Sequence, residues 1–327
     1  MTAIASPPLV GAGWARLPEY VTAFRAAGLP VFRGSAGCYW VGSAARVVRR
    51  VPTIDMSEPS EAEVDEALHV TGALVATFIQ EPSDRVPGNA WLYVCRDRGY
   101  ALRARPSAMQ RNVRRALREL RVTELSVGEV LAYGSRAFCD TRRRSELDDG
   151  TLQAFRRYFQ YGAHRPGRTY LGAWHHGQLA AFLSITQVDD WVELGSFSMS
   201  SMLRHRPNDA LMYCALSRYA ADTRCRVVSY GLSSIQLGGK AAGLHRFKLK
   251  VGFEAVPVHR AFVLRRSLRP VVRRATLKLA SAGVNVALQL RPRSARLKTL
   301  GGLVACMLGD SGLPADGALS PEPVCVV

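Results

Sequence analysis

The chain has 327 residues, of which 48% are hydrophobic, so it is long and apolar enough to bury a substantial core and to form two domains. Its formal net charge is +18 at pH 7, and no acidic residue occurs between residues 260 and 309, so much of the excess lies near the C-terminus. Seven scattered cysteines and the lack of an apolar stretch of membrane-spanning length predict a globular cytoplasmic protein and argue against export or a membrane span.

The first third of the chain combines helix and strand patterns. Residues 19–27 are predicted to form a helix, and residues 38–41 and 46–51 are strand candidates. Residues 57–80 open with Ser and Glu in a helix-start arrangement and carry apolar residues at broadly helical spacing, which predicts one core-facing helix. A short apolar run at residues 90–95 predicts a buried strand.

Residues 107–120 predict an arginine-rich helix. Four residues at helical spacing form one apolar stripe that should face the core: Met109, Val113, Leu117 and Leu120. Arg114 and Arg115 lie outside this stripe, so they are free to contact a ligand or another domain. A solvated basic face is the alternative, and the sequence leaves both open.

The stretch from residue 169 to residue 253 carries the clearest pattern. Apolar runs that meet at residues 176–178 and 188–190 predict three antiparallel strands joined by tight turns. Alternation in the third strand puts a single carboxylate, Glu193, in an otherwise apolar row formed by Trp191, Gly195, Phe197 and Met199. A basic turn, a helix, a short strand and a second helix are predicted to follow.

Several common motifs can be set aside. Gly238-Gly239-Lys240 lacks the Ser or Thr that a phosphate-binding loop needs after its lysine to reach magnesium. His175 and His176 would point to opposite faces of a strand and could not bind one metal ion together. No metal site is therefore expected.

The order of elements in residues 169–253 resembles the acyltransferase unit of the GNAT superfamily. Two segments make the resemblance closer to the Fem-type branch, whose members pair two such units: the arginine helix RDRGYALRARPSAMQRNVRRALREL and the later GLHRFKLKVGF. Together the matches cover residues 92–263. The resemblance implies an α+β fold with two GNAT-like units, each a mixed, mainly antiparallel sheet flanked by helices, of which the first is divergent.

The resemblance also implies a division into domains. Residues 1–122 would form the divergent N-terminal GNAT-like domain, and residues 123–266 the acyltransferase-like GNAT domain. Residues 267–327 would form a basic amphipathic tail with a disordered end.

The activity that the resemblance implies is transfer of an acyl or aminoacyl group to an amine by direct attack, which requires a base and stabilisation of the carbonyl. Glu193 is the candidate base, because an apolar row raises the pKa of a carboxyl group by desolvation. An ion pair with an arginine across the sheet is the alternative. Tyr230, on the next strand, is the candidate proton donor to a leaving thiolate, and a core tyrosine with a bonded hydroxyl is the alternative.

No bound cofactor is expected, and acyl-CoA is the expected co-substrate. The basic turn before residue 207 is the candidate site for the donor phosphates, because cationic side chains and helix-start amides favour an anion. Its candidate residues are Met199, Arg204, Arg206 and Asn208. The turn departs from the family pattern, since it has no glycine and Asp209 adds a negative charge, and a solvated basic turn is the alternative.

The remaining candidates concern binding of the acceptor. Arg114 and Arg115 are joined in this set by Ser233, His245 and Lys248 near the second helix. Lys248 would either cap a site or stay exposed.

The segment of residues 260–298 mixes basic and apolar residues, which predicts helices that lie on an anionic membrane surface or pack on the second domain. Nucleic acid is not the expected partner, because stacking aromatic residues are missing from the tail. The preferred function is N-acyl transfer from an acyl-CoA-type donor to an amine of a small molecule or of an envelope or lipid precursor, in the cytoplasm or peripherally at the inner membrane face. Two alternatives stay open: an aminoacyl-tRNA-dependent transferase, and a non-catalytic GNAT-fold protein that binds an anionic membrane or nucleic acid.

Overall fold

The computed structural model describes residues 13–43, 46–145, 150–160, 162, 164–234, 241–270, 272–291 and 294–308. Within these residues the strands are β1 (Val31–Arg33), β2 (Tyr39–Gly42), β3 (Val47–Val51), β4 (Val75–Gln80), β5 (Ala90–Cys95), β6 (Arg121–Glu124), β7 (Arg168–His175), β8 (Gln178–Val188), β9 (Trp191–Ser198), β10 (Val227–Leu232) and β11 (Glu254–Leu264). The α-helices are α1 (Leu17–Ala26), α2 (Glu61–Val70), α3 (Ser107–Glu119), α4 (Val127–Tyr133), α5 (Ser135–Arg144), α6 (Leu152–Gln160), α7 (Pro207–Ala221), α8 (Ala241–Val251), α9 (Arg274–Leu290) and α10 (Ala295–Leu308).

The strands form one mixed sheet in the order β1-β2-β3-β4-β11-β5-β10-β9-β8-β7-β6. Neighbours are antiparallel except for the pairs β3–β4 and β9–β10, which are parallel. The long strand β11 pairs with β5 through residues 254–258 and with β4 through residues 259–264, so it joins the two halves of the sheet. Strand β5 of the predicted first domain therefore lies between β10 and β11 of the predicted second domain, and the division at residue 122 stays a prediction.

The prediction of one helix over residues 57–80 is wrong in its second half. Helix α2 begins after Ser60, whose side chain accepts a hydrogen bond from the Glu63 N–H at 3.2 Å. Just past the helix, Gly72 adopts a φ of +64°, a left-handed conformation that terminates helices and that glycine tolerates. The residues that follow are β-branched at every second position, which favours strand β4: Val75, Thr77 and Ile79.

Both predicted hairpins are confirmed. Strands β7 and β8 are joined by His176 and Gly177, with φ values of +45° and +78°, and strands β8 and β9 by Asp189 and Asp190, with Asp189 at +48°. Left-handed conformations are typical of two-residue hairpin turns, because they match the twist of the flanking strands. The turns fix which face of the sheet each side chain of β9 occupies.

Helices cover both faces of the sheet beside β9. On one face, α3 and α7 pack over the central strands, and the predicted apolar stripe of α3 is confirmed, since Met109 and Val113 are fully buried. On the other face, the Tyr20 ring of α1 meets the Trp191 ring edge to face, with centroids 6.4 Å apart, and α5 packs on β9. The side chains of β9 therefore enter two different cores in alternation.

The basic C-terminal segment contains the helices α9 and α10, which pack against each other, and α10 also contacts β11. Arg260, at the start of the segment, lies on β11 in the sheet and does not belong to the helical tail. In the described part of the chain, no helix combines the length and the hydropathy needed to cross a bilayer.

Candidate active site

The candidate site lies where the parallel strands β9 and β10 separate. Their pairing runs from Trp191 opposite Val227 to Glu193 opposite Ser229 and then ends. Beyond this point a hydrogen bond between the hydroxyl groups of Ser196 and Tyr230 links the two strands. A gap therefore opens in the sheet directly after Glu193.

Glu193 belongs to a lateral row of polar side chains on one face of the sheet. Paired positions place Arg168, Thr186, Glu193 and Ser229 side by side on strands β7, β8, β9 and β10. Trp191 lies on the same face, as the alternation predicts, and Thr186 and Ser229 are buried. The Glu193 side chain itself is partly exposed.

Two glycines lie next to Glu193, and one of them, Gly231, leaves space beside it, whereas a Cβ at Gly195 would lie 2.9 Å from Ser184 Oγ. Gly195 is the next residue of β9 on this face, and Gly231 follows Ser229 on β10 with a φ of +71°. A Cβ at Gly231 would lie 4.0 Å from Glu193 Oε1. A side chain at Gly231 would therefore narrow the approach to the carboxylate.

The Glu193 carboxylate lines a cavity of about 220 Å³, which we call the Glu193 cavity. Residues from both halves of the sheet surround it: Arg49, Arg50, Pro52, Thr53, Asp55, Thr77, Phe78, Ile79, Glu193, Gly231, Leu232, Ser233 and Arg260. Among the described residues, no lysine or arginine nitrogen lies within 4.0 Å of the Glu193 carboxylate. The carboxylate is thus accessible and available to a ligand.

The opposite face of the same gap carries a buried lysine. Lys248 of α8 is 3% exposed, and its Nζ lies 3.7 Å from the centroid of the Tyr93 ring and 4.7 Å from that of the Tyr230 ring. Burial lowers the pKa of Lys248 to about 7, so a large fraction of it is neutral near neutral pH. Of the two sequence alternatives, a cap or an exposed side chain, the structure excludes exposure.

His245 extends this cluster. The Tyr93 hydroxyl is 2.8 Å from His245 Nδ1. Burial raises the pKa of Tyr93 to about 12, so the hydroxyl stays protonated in this hydrogen bond. Burial and the neighbouring Lys248 charge lower the pKa of His245, which favours the neutral imidazole. Burial also raises the pKa of Tyr230, so its hydroxyl is a proton donor at neutral pH.

The turn that is the candidate site for the donor phosphates, residues 199–208, is partly buried in the core. Met199 is 2% exposed and packs in the aromatic core under α5. Arg204 and Arg206 are exposed, and Arg206 precedes α7 with a φ of +57°. Pro207 has no N–H, and the Asp209 N–H donates to the Arg206 carbonyl at 3.1 Å, so the first turn of α7 offers few free amides.

The negative charge of Asp209 is compensated within the fold. Asp209 is 4% exposed and forms an ion pair with Lys250 of α8. Asn208 donates to Ser198 Oγ at 3.2 Å, while its own Oδ1 is buried and has no hydrogen-bond partner among the described residues. Because Lys250 neutralises it, the charge of Asp209 opposes an anion at this turn less than an unpaired carboxylate would.

Arg115 and Arg114 lie away from the Glu193 cavity. Arg115 Nε is 2.7 Å from Glu119 Oε1, and Glu119 Oε2 is 2.6 Å from His205 Nδ1. These two partners, Arg115 foremost, hold the pKa of Glu119 at about 2. Arg114 is exposed and donates to Gln110 at 3.1 Å. Arg115 thus connects α3 to the turn before α7, and the role of both arginines in acceptor binding stays a prediction.

Comparison with known proteins gives the fold of the chain. No protein-family model matches the sequence, and no curated protein sequence matches it significantly. Among solved structures, FemX superposes with a TM-score of 0.53 at 11% identity, covering 74% of this chain and 89% of FemX. The chain has a GNAT-type fold. At this identity the likeness shows the fold alone.

Two further structures with GNAT-type folds are similar at lower scores. The C-terminal domain of a putative lysylphosphatidylglycerol synthetase from Agrobacterium fabrum has a TM-score of 0.48 at 11% identity, with 73% of this chain and 84% of that one covered. A tandem GNAT protein from the clavulanic acid biosynthesis pathway has a TM-score of 0.40 at 14% identity, with 70% and 79% covered.

The GNAT-type sheet brings some of the sequence candidates together and separates others. Glu193 and Ser233 line one cavity, and Tyr230, His245 and Lys248 meet on the opposite face of the same gap. Three residues that sequence analysis did not single out join these two groups: Arg49, Tyr93 and Arg168. Arg260, which sequence analysis assigned to the basic C-terminal segment, lines the Glu193 cavity as well. No group of three or more His, Cys, Asp or Glu side chains suited to a metal ion occurs in the described residues.

Proposed function

We propose that the chain is an N-acyltransferase that moves an acyl group from an acyl-CoA-type donor to an amine by direct attack. One observation carries this proposal: the Glu193 carboxylate has no basic side chain within 4.0 Å in the described residues, and it lines a cavity where β9 and β10 separate. A partly buried carboxylate in such a position is suited to accept a proton from an ammonium group.

In this proposal, the group that accepts a proton lies on one face of the gap, and the group that donates a proton lies on the other. On the Glu193 face, the acceptor ammonium loses a proton to the carboxylate, and the amine nitrogen attacks the carbonyl carbon of the donor in the gap. The new C–N bond forms as the C–S bond breaks, and the nitrogen then releases its second excess proton to solvent, from which the Tyr230 oxygen regains the proton that it gives to the thiolate. On the other face, the leaving thiolate takes a proton from the Tyr230 hydroxyl, and the charged fraction of Lys248, whose Nζ lies 4.7 Å from the centroid of that ring, favours the developing anion.

The exposed Arg204 and Arg206 support an acyl-CoA-type donor, because the phosphates of coenzyme A need cations at the open end of the gap. We expect acetyl-CoA or a longer acyl-CoA to raise the melting temperature of the protein by several degrees at saturation. The double variant Arg204→Gln, Arg206→Gln should lose most of this shift. The matched control Arg118→Gln, an exposed arginine on α3, should keep it.

The donor class is decided by the same measurement. A shift with aminoacyl-tRNA and none with any acyl-CoA would replace the acyl-CoA donor by the aminoacyl-tRNA alternative. If no donor of either class shifts the melting temperature, the transferase proposal is wrong and the non-catalytic alternative is favoured.

We also propose that the protein acts peripherally on an anionic membrane surface, through α9. Leu279, Val286 and Leu290 are 73%, 58% and 80% exposed, and their spacing puts them on one side of the helix. The exposed Lys278 and Arg291 flank this apolar stripe, and the surrounding segment has no acidic residue. An apolar stripe with cationic borders is suited to the headgroup region of anionic lipids.

Vesicle binding tests the membrane proposal. We expect the protein to cosediment with phosphatidylcholine vesicles that contain phosphatidylglycerol, to bind pure phosphatidylcholine vesicles weakly, and to dissociate at high salt. Leu279→Glu should weaken binding at least tenfold, because burial of a leucine contributes about 1.5–3 kcal/mol. Asn285→Glu adds the same charge at an exposed position off the stripe and should weaken binding much less. Equal binding to both vesicle types, or a preference for RNA over vesicles, would contradict the proposal.

A further inference from the structure

The face of the sheet that carries Glu193 is rich in arginine. Arg49 of β3 and Arg260 of β11 line the Glu193 cavity. Arg168 of β7 stands in the same lateral row as Glu193, with Thr186 between them, and the two charges interact. Cations from three distant strands therefore share this face of the sheet with Glu193.

A further cation lies behind this group. The guanidinium carbons of Arg49 and Arg165 are 5.9 Å and 4.1 Å from the centroid of the same buried ring, Phe24. Burial lowers the pKa of Arg165, and the charges of Arg168 and Arg49 act in the same direction. The three arginines are thus close enough to repel one another.

The protein supplies little negative charge to the arginines of the cavity. Neither Arg49 nor Arg260 has a carboxylate within 4.0 Å among the described residues, and Arg260 Nε is buried without a hydrogen-bond partner. The second carboxylate of the lining, Asp55, is 3.5 Å from Arg50, which is itself buried. Arg260 is partly buried and Arg49 is exposed, and a partly buried cation without a carboxylate partner is stabilised when an anion binds beside it.

The size of the cavity limits the ligand. About 220 Å³ is below the roughly 300–1,000 Å³ of sites that hold drug-sized molecules, while a liquid water occupies about 30 Å³. The cavity therefore suits a small acidic headgroup. Guanidinium groups bind carboxylate and phosphate in the same bidentate manner, so either anion fits the arginines.

We propose that the acceptor is an amine that also carries an acidic group, a carboxylate or a phosphate, which Arg49 and Arg260 hold in the Glu193 cavity while the amine faces the Glu193 carboxylate. This inference rests on the proposed N-acyltransferase function. It adds the chemical class of the acceptor, and it gives Glu193 a role that the Arg50-paired Asp55 does not share, which is recognition of the ammonium end of a zwitterion.

Two measurements test the proposal, and the first needs no turnover. Calorimetric titration with inorganic phosphate and with acetate, at constant ionic strength, should detect binding of at least one of them. Arg260→Gln and Arg49→Gln should each weaken it at least tenfold. Glu193→Gln should tighten it, because a neighbouring negative charge is removed. Arg118→Gln, on the exposed face of α3, should leave it unchanged.

The second measurement compares amines as acceptors with a fixed acyl-CoA. Ethanolamine is the neutral reference, phosphoethanolamine carries a phosphate, and glycine carries a carboxylate. At least one acidic amine should exceed ethanolamine tenfold or more in kcat/KM, and Arg260→Gln should reduce that ratio at least tenfold. Turnover without a preference for acidic amines, together with no anion binding, overturns the inference and leaves the transferase intact. Anion binding that depends on Arg260, with no turnover of any amine, supports the anion site and removes the transferase.

Discussion

Glu193→Gln is expected to lower acyl transfer about 10²- to 10⁴-fold while the protein stays folded, because a positioned general base contributes this much and the amide cannot accept the proton. The substitution keeps the size of the side chain. It also leaves no basic side chain without its partner, since no lysine or arginine nitrogen of the described residues lies within 4.0 Å of the carboxylate. Release of free thiol from acyl-CoA measures the turnover, and thermal unfolding measures the fold.

Glu254→Gln is the matched control for this substitution. Glu254 is an exposed carboxylate at the start of β11, 3.6 Å from Arg96, and its replacement should leave turnover unchanged. If Glu193→Gln kept more than half of the wild-type rate, the base would have to be another group, and Lys248 on the opposite face of the gap would be the next candidate. Lost turnover with a lowered melting temperature would instead indicate a structural role for Glu193.

The position of Glu193 could be predicted because it depends on local alternation alone. The sequence marks both ends of strand β9. Because side chains alternate along a strand, this fixes which of its residues share a face. The partners of Glu193 could not be predicted in this way. Arg168 stands in its row only because two successive hairpins set the register, and Arg49 and Arg260 reach the same cavity from β3 and β11. A local sequence pattern cannot show that residues so far apart in the chain line the same cavity.

The error over residues 71–80 has the same origin. Strand β4 carries apolar residues on both faces, so spacings of three and four occur in it, and these spacings extended the helical pattern of α2 into β4. What separates the two elements is Gly72 with its left-handed conformation, and pairing of β4 with β3 and β11 supplies the backbone hydrogen bonds that a helix would have made. Pairing between distant strands thus outweighed local propensity.

Lys248 illustrates how burial changes the chemistry of a residue that the sequence marks only by its motif. The run FKLKVGF has two lysines, and the fold treats them differently: Lys250 pairs with Asp209, whereas Lys248 lies between the Tyr93 and Tyr230 rings. Removal from water disfavours the charged form of Lys248, and two neutral rings offset this only in part. The burial of Lys248, and with it the lowered pKa, therefore depends on strand β5, which supplies Tyr93.

We expect the free energy of unfolding of the wild type, relative to that of Lys248→Met, to rise between about pH 7 and pH 9 by up to about 1.4 kcal/mol per pH unit. The sign of this pH dependence follows from the number of protons that the folded and the unfolded chain bind. Burial lowers the pKa of Lys248 from 10.5 to about 7 on folding, so in this range the unfolded chain holds a proton that the folded chain has released. Stability therefore increases with pH, and the destabilisation is complete below the folded pKa. Urea unfolding at several pH values measures it.

Lys278→Met is the control for this pH dependence. Lys278 is exposed on α9, so its ammonium group stays in water in both states, and its removal should leave the slope of the wild type unchanged. Taking the difference between wild type and Lys248→Met cancels the other titrating groups, and His245, whose pKa is lowered by burial and by the Lys248 charge, titrates below the range used. Parallel curves for wild type and Lys248→Met would mean that the ammonium stays charged over the tyrosine rings. Lys248 would then act in the gap as a fixed cation, and a neutral amine would not be available for proton transfer.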